Sequence, residues 1–289
     1  MVQWALSDSV SPIFKNNPCD HKERQIQFSF SQDQKLSSFK VMNFNADEAI
    51  KEYFVDHLKM KLLYSVIIQN KHVQKLIHAA PGISELFFLG RLFWLIELAQ
   101  VEKGVSFDRI IVDTPATGHG VSLFSIAKTV ANLGMTGPLA LECERVAKLL
   151  GNPQKTSVFL VTLPEELPVE ECLETVDKIE QKLGYGPQYI LINQSVNERF
   201  YPELKNVLAE KWFQELISSL QMPTAQYELE SFVEALLKRN LYEAKCAEFA
   251  KEKNIPFISI PDFNLTQKQN SPYEVIVSMS KFFKNLEKK

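Results

Sequence analysis

The stretch that decides the fold is Arg109-Ile-Ile-Val-Asp-Thr-Pro-Ala-Thr-Gly-His-Gly120. The short run Arg109–Val112 (RIIV) ends on an acid, and a Thr/Pro/Gly loop then leads into a helical pattern. A continuous apolar run this short suits a strand buried on both faces. An Asp that closes such a strand is placed to hold a magnesium shell, often through water, as in phosphoryl-transfer sites. Gly118 would let the backbone approach a phosphate, and the free N–H groups at a helix start attract anions. The same pattern admits a plainer reading, in which Asp113 caps the helix that follows.

Similar short runs recur along the chain. Phe39–Phe44 (FKVMNF), Ser157–Val161 (SVFLV), Tyr189–Ile192 (YILI) and Phe257–Ile260 (FISI) read as further strands. Helical spacing fills the gaps. Asn45, with Glu48 three residues on, has the form of a capping box before Ala49, Ile50, Tyr53, Phe54 and Leu58. Pro168–Leu183 reads as a helix with Pro near its start and Gly184 at its stop. Leu204–Leu220 and Phe232–Lys251 read as two more. Strands that alternate with helices predict an α/β fold, a mainly parallel sheet flanked by helices. The segments at about 46–100, 120–150 and 200–245 are longer than crossovers need, which predicts a helical subdomain inserted between strands.

The composition narrows the classes. Across 289 residues, 32 Lys and Arg stand against 35 Asp and Glu, a net charge of −3. That balance argues against nucleic-acid binding. With 45% hydrophobic and 23% charged residues, the chain is a globular mixture rather than a disordered one. No run is long and apolar enough to span a membrane, and no basic, then apolar secretory leader is visible. Leu86–Ala99 is interrupted by Gly90, Arg91 and Glu97 and reads as a buried helix, so Phe87, Phe88, Phe93 and Trp94 are core candidates or, failing that, the lining of an apolar groove for a helix. Cys19, Cys143, Cys172 and Cys246 are far apart in sequence, without a Cys-x-x-Cys. A disulfide framework or zinc clasp is not expected, and a cytoplasmic setting is. His21, His57, His72 and His78 lack metal-ligand spacing and read as surface or helix residues.

In parallel sheets ligands bind beyond the carboxyl ends of the strands. Val161-Thr-Leu-Pro-Glu-Glu-Leu-Pro168, Asn193-Gln-Ser195 and Pro261-Asp-Phe263 stand at such ends. Asn193 carries both a donor and an acceptor and so can read a purine edge, or it is a turn residue. Glu165 and Glu166 read as solvated loop residues that favour a helix start. DTPATGHG (113–120), together with VTLPEELPVEE and ILINQ, resembles the ArsA-type ATPase family, which includes arsenical-pump ATPases and ATPases that target tail-anchored membrane proteins. Asp113, Thr114, Thr117, Gly118 and His119 match the family spelling, while Ala116 and Gly120 depart from it. Phe44–Tyr53 and Leu6-Ser-Asp-Ser9 resemble two further family segments, the second being the end of the switch. The resemblance implies a single ATPase domain over 1–289 that uses ATP and magnesium. Asp113 would organise the metal through water. Thr117 and Gly118 would lie at the γ-phosphate, Asn193 would read adenine, and Pro261 and Phe263 would wall the base. It also implies a homodimer, or a heterodimer with a relative that carries a phosphate loop; a membrane-protein client is left open, because the cysteine pair that joins the targeting dimer through zinc is absent.

One family feature is missing. The family opens with a strand, a glycine-rich phosphate loop, a helix and a second strand. This chain has no G-x-x-x-x-G-K-[ST], and none of its ten glycines precedes a Lys. The N-terminal strand–loop–helix unit is therefore expected to be absent, with the sheet left incomplete or rebuilt by residues 24–44. Two explanations stand open. In one, the recorded start is internal to a longer protein that carries the loop. In the other, the chain is a member without catalysis that serves as a partner or scaffold. The chain alone is expected to bind ATP weakly or not at all.

Overall fold

The computed structural model describes residues 1–5, 8–28, 37–57, 59–65, 82–114, 117–132, 138–197, 223–263 and 272–286, with single positions 70, 72, 73, 75, 77, 80, 215 and 219. The chain divides into two compact units, Met1–Thr156 and Ser157–Lys289. Each has parallel strands flanked by helices, an architecture consistent with a P-loop NTPase-like fold.

In the N-terminal unit the strands are β1 (Val2–Gln3), β2 (Arg24–Phe28), β3 (Ser37–Asn43) and β4 (Val112–Asp113). Their order is β2-β3-β1-β4. β1 runs parallel to both β3 and β4, and β2 pairs antiparallel with β3. Residues 24–43 thus supply two of the four described strands, and β3 and β1 are the interior ones. The ladder at RIIV is shorter than the sequence predicts. It is assigned only from Val112, although the Ile111 carbonyl still accepts from Val2 N at 2.8 Å.

β3 explains why its sequence is apolar without alternation. Val41 faces one cluster with Cys19 and Ile26, and Met42 faces another with Val2, Phe44 and Phe88. Both faces of the strand are covered. The second cluster is closed by α2 (Ile83–Phe93), which runs on through a wider turn, Trp94–Leu98, into α3 (Ala99–Lys103). Trp4 stacks on Phe88 at 4.9 Å, and Phe44 meets Phe88 edge-on at the same distance. Phe88, Phe93 and Trp94 are buried in this core. α1 (Ala46–Glu52) begins where the sequence places it. Asn45 is its cap, and its side chain accepts from Glu48 N at 3.1 Å. The reciprocal half of the capping box is replaced, because Asn45 N donates to His21 Nδ1 at 3.2 Å. His21 is therefore a buried residue, not a surface one, and its Nε2 faces Glu52 Oε2 at 3.3 Å. α4 (Thr117–Asn132) and α5 (Pro138–Leu150) complete the unit. His78 lies outside the described residues.

The C-terminal unit holds β5 (Phe159–Thr162), β6 (Tyr189–Ser195) and β7 (Phe257–Pro261), parallel and in that order. α6 (Glu166–Leu183) starts two residues before the expected Pro168 and stops at Gly184, whose φ of 82° is the left-handed cap a glycine adopts without penalty. α7 (Pro223–Glu252) contains the predicted 232–251 helix and extends it toward the N-terminus. α8 (Pro272–Leu286) is the last helix. The predicted helix 204–220 falls outside the described residues except for positions 215 and 219.

Val169, Cys172 and Val176 of α6 and Cys246 and Ala250 of α7 bury one face of this sheet against Ile190 and Ile192. The other face differs from the sequence expectation of burial on both sides. Phe159 is 52% exposed and Val161 64%. Cys172 and Cys246, far apart in sequence, meet in this core as free thiols. The hydrogen bond with Cys172, then burial, push the Cys246 thiol far up.

Candidate functional site

Three parallel strands of the N-terminal unit end in one polar row. Gln3 registers with Asn43 on one side and with Asp113 on the other. The first two members are committed to structure. Gln3 is fully buried; its Nε2 donates to Asp8 Oδ1 at 3.1 Å, and its Oε1 accepts from Ser9 N at 3.1 Å. The Asn43 amide clamps Ala5, accepting from its N–H at 3.2 Å and donating to its carbonyl at 3.1 Å. Asp113 is the exposed member. Its carboxylate makes no hydrogen bond or ion pair among the described residues, while its backbone carbonyl accepts from Trp4 N at 3.3 Å.

α4 begins at Thr117, so Asp113 stands four positions earlier and outside the cap position. Thr117 and Gly118 occupy the first turn of a 16-residue helix. Their N–H groups are among the four that a helix start leaves without an intrahelical acceptor. A carboxylate without a partner among the described residues and a set of N–H groups without intrahelical acceptors thus flank one short loop.

Asp8 lies in the Leu6-Ser-Asp-Ser9 segment, where the sequence reading gave it no role of its own. It is 4% exposed. Its Oδ1 accepts from Val10 N at 2.9 Å and Ser11 N at 3.1 Å, and its Oδ2 accepts from Cys19 N at 2.8 Å. Burial alone would raise its pKa, but the hydrogen bonds from Ser11 and Cys19 outweigh it and hold the carboxyl well below the usual range. Burial and then Asp8 in turn push the Cys19 thiol up to about 11. The readable signal was Asp-Ser-Val-Ser, an acid two and three residues before the N–H groups it captures.

The C-terminal unit has its own row beyond β5, β6 and β7. Asn193 and Gln194 form a bulge where the register against β7 slips between Ile192 and Ser195. Gln194 has φ 58°, in the left-handed region. Asn193 is half-buried, and its amide makes no hydrogen bond among the described residues. Pro261 ends β7, Asp262 N donates to Ser195 O at 3.0 Å, and Phe263 follows, half-buried. Asp113, Thr117 and Gly118 therefore belong to one unit, and Asn193, Pro261 and Phe263 to the other. Each set stands at the carboxyl edge of its own parallel sheet, the place where α/β folds bind ligands. A separate cleft in the N-terminal unit, lined by Tyr53, Phe87, Arg91, Trp94 and Glu142, lies among helices rather than at this edge.

Two charged residues of α7 were also missed. Glu243 is 5% exposed and accepts from Ser195 Oγ at 2.7 Å, Ser259 Oγ at 2.6 Å and Asn197 Nδ2. Arg239 Nη2 donates to Gln194 Oε1 at 3.1 Å. In sequence these two residues stand one turn apart on a helix rich in charged residues, with nothing that sets them off from the rest.

The fold defines an α/β protein with parallel strands flanked by helices, and comparison with known proteins shows what it is similar to. Residues 8–137 match the family model of the anion-transporting ATPases, ArsA ATPase. ATPase BagA of Mycobacterium tuberculosis (strain H37Rv) is 29% identical over 161 residues, covering 53% of this chain and 46% of the relative. A Mycobacterium bovis counterpart named as an ATPase has the same identity and coverage. The chain spans about half the length of these curated relatives. These findings make the ArsA-type ATPases the proteins that this chain is similar to. Among the described residues no helix is long and apolar enough to cross a membrane.

Proposed function

We propose that this chain is a nucleotide-binding module of the ArsA type that hydrolyses ATP with magnesium when a phosphate loop is supplied to it. Asp113 would hold the magnesium shell, Thr117 and Gly118 would offer backbone N–H groups to the γ-phosphate, and Asn193, with Pro261 and Phe263, would hold the adenine. The observation that carries this reading is the uncommitted carboxylate of Asp113 at the end of β4, one short loop before a helix start, inside the matched span.

The donor set suits magnesium. Among the described residues no group of three or more His, Cys, Asp or Glu side chains could hold a metal by itself. One carboxylate, completed by waters and substrate phosphates, is how magnesium is commonly bound. The ion would neutralise phosphate charge; the chain's own part is to hold that water shell at Asp113 and to present N–H groups at the helix start.

What the chain does not contain is a glycine-rich loop with its Lys, and with it the nest and cation that grip the β- and γ-phosphates. Calorimetric titration of ATP and magnesium into the 289-residue chain should therefore show no tight binding. Micromolar, magnesium-dependent binding would refute the need for an outside loop. With the loop supplied, hydrolysis would drive a dimer between open and closed states. The same missing motif favours a second reading, in which the chain pairs with a loop-bearing relative and does not itself turn over. Mixing the chain with such a relative separates the two: in the second reading turnover is indifferent to Asp113→Asn here. A membrane-protein client remains part of the proposal by family likeness.

A further inference from the structure

The loops that leave β5, β6 and β7 are tied to a single helix. Arg239 of α7 reaches all three. Besides its hydrogen bond to Gln194 beyond β6, Nη2 lies 3.6 Å from Glu165 Oε1 beyond β5, and Nη1 lies 3.5 Å from Asp262 Oδ2 beyond β7. The planar guanidinium suits this, since its N–H groups point along fixed directions. One turn further on, Glu243 takes the hydroxyls of Ser195 and Ser259 and the amide of Asn197. Between these two grips lies the bulge, with Gln194 at φ 58°. A side chain is disfavoured in that conformation, which persists only where neighbours fix it. Here Arg239 fixes Gln194 itself and Glu243 fixes the two polar residues after it.

The hydrophobic contact between α7 and the sheet is already made by Cys246 and Ala250 against Ile190 and Ile192. Arg239 is 22% exposed and Glu165 51%, and an ion pair of that exposure adds little stability; Asp262 is buried, so its pair with Arg239 counts for more. Its three partners are the strand-end loops, so its main effect is geometric. Bulges re-aim side chains beside sites, and the residue at the start of this one is Asn193.

We infer that Arg239 and Glu243 are positioning residues of the base subsite: they hold the 193–197 bulge so that the Asn193 amide faces a purine in one orientation. This rests on the proposed reading of Asn193 as the base reader.

The test is saturation-transfer NMR on the full 289-residue chain with adenosine and guanosine at millimolar concentration, which needs no phosphate grip. Wild type should prefer adenosine, and Asn193→Ala should lose the preference. Arg239→Ala should weaken adenosine binding about tenfold, the low end of what loss of an orienting partner costs, with some loss of Tm because buried Asp262 gives up this cation. Arg239→Lys should recover part of it. If wild type shows no preference, the base reading falls and this inference with it. If Asn193→Ala abolishes the preference but Arg239→Ala keeps it, the base reading stands and the positioning role is overturned. Should Arg239→Ala fail to fold, Glu243→Gln keeps size and an acceptor; it should speed amide exchange at residues 193–197 and lower the preference, and unchanged values of both would overturn the inference.

Discussion

The two sheets end their parallel strands in polar rows of opposite character. Beyond β4 the carboxylate of Asp113 is exposed and uncommitted among the described residues. Beyond β6 and β7 the charges are tied down, with buried Glu243 taking three donors and Arg239 spread over three loops. An exposed carboxylate is solvated and can stay free for a ligand. A buried one must be satisfied by the protein, because burial of an unpaired charge is costly. The cores differ in the same sense: β3 is covered on both faces, whereas β5 leaves Phe159 and Val161 open.

The strongest way to break this comparison is to remove the same side chain from each unit. Phe88→Ala, at a fully buried site, should cost about 3–5 kcal/mol in urea unfolding. Phe159→Ala, which loses mainly its stacking on Tyr189, should cost about 1 kcal/mol or less. Equal losses would show that the open face of β5 is covered in solution. Next in size, Asp113→Asn in a protein completed with a phosphate loop should lower turnover about 10–100-fold, the usual range for a group acting through bound water on a metal. Tm should not move, since the side chain has no partner among the described residues to lose. An unchanged turnover number would take Asp113 out of the site.

Asp8 sharpens the contrast through pH. Its folded pKa is depressed, so its stabilisation is fully present above the unfolded value of about 3.9 and is lost as pH falls below that value toward the folded one. Urea midpoints at pH 5, 4 and 3 should fall more steeply for wild type than for Asp8→Asn. Parallel curves would mean that the carboxylate is not held as described. The smallest effect expected is on thiol labelling. All four cysteines are free and buried, so a thiol reagent should react slowly with the native chain and reach four equivalents only on denaturation.

Much of the fold was legible because continuous apolar runs bounded by turn residues mark parallel strands. Phe39–Phe44, Tyr189–Ile192 and Phe257–Ile260 each lie at the predicted place to within a few residues. Asn45 was readable as a cap because the interaction is local. β1 and β2 were not: Val2–Gln3 is two residues long, and Arg-Gln-Ile-Gln-Phe alternates weakly, so their strand character comes from their neighbours. His21 was misread as a surface residue because its partners, Asn45 N and Glu52, are 24 and 31 positions away. Among the candidate site residues, Asp113 and Asn193 were visible because strand ends are visible. Arg239 and Glu243, whose partners Gln194 and Ser195 are 45 and 48 positions away, were not.

The sequence by itself determined the order of the longer apolar strands and of the helices between them, the position of an acid and an amide at strand ends, and the lack of a glycine-rich loop with a Lys, since periodicity and motif spacing are properties of the chain alone. Only the tertiary structure decided which of these polar groups are free and which are spent. That depends on burial and on partners brought together from distant positions. Asp113 keeps its carboxylate open because β4 ends at an exposed edge, while Glu243, one acid among many on a long helix, is closed by two serines and an asparagine that the parallel sheet carries to it.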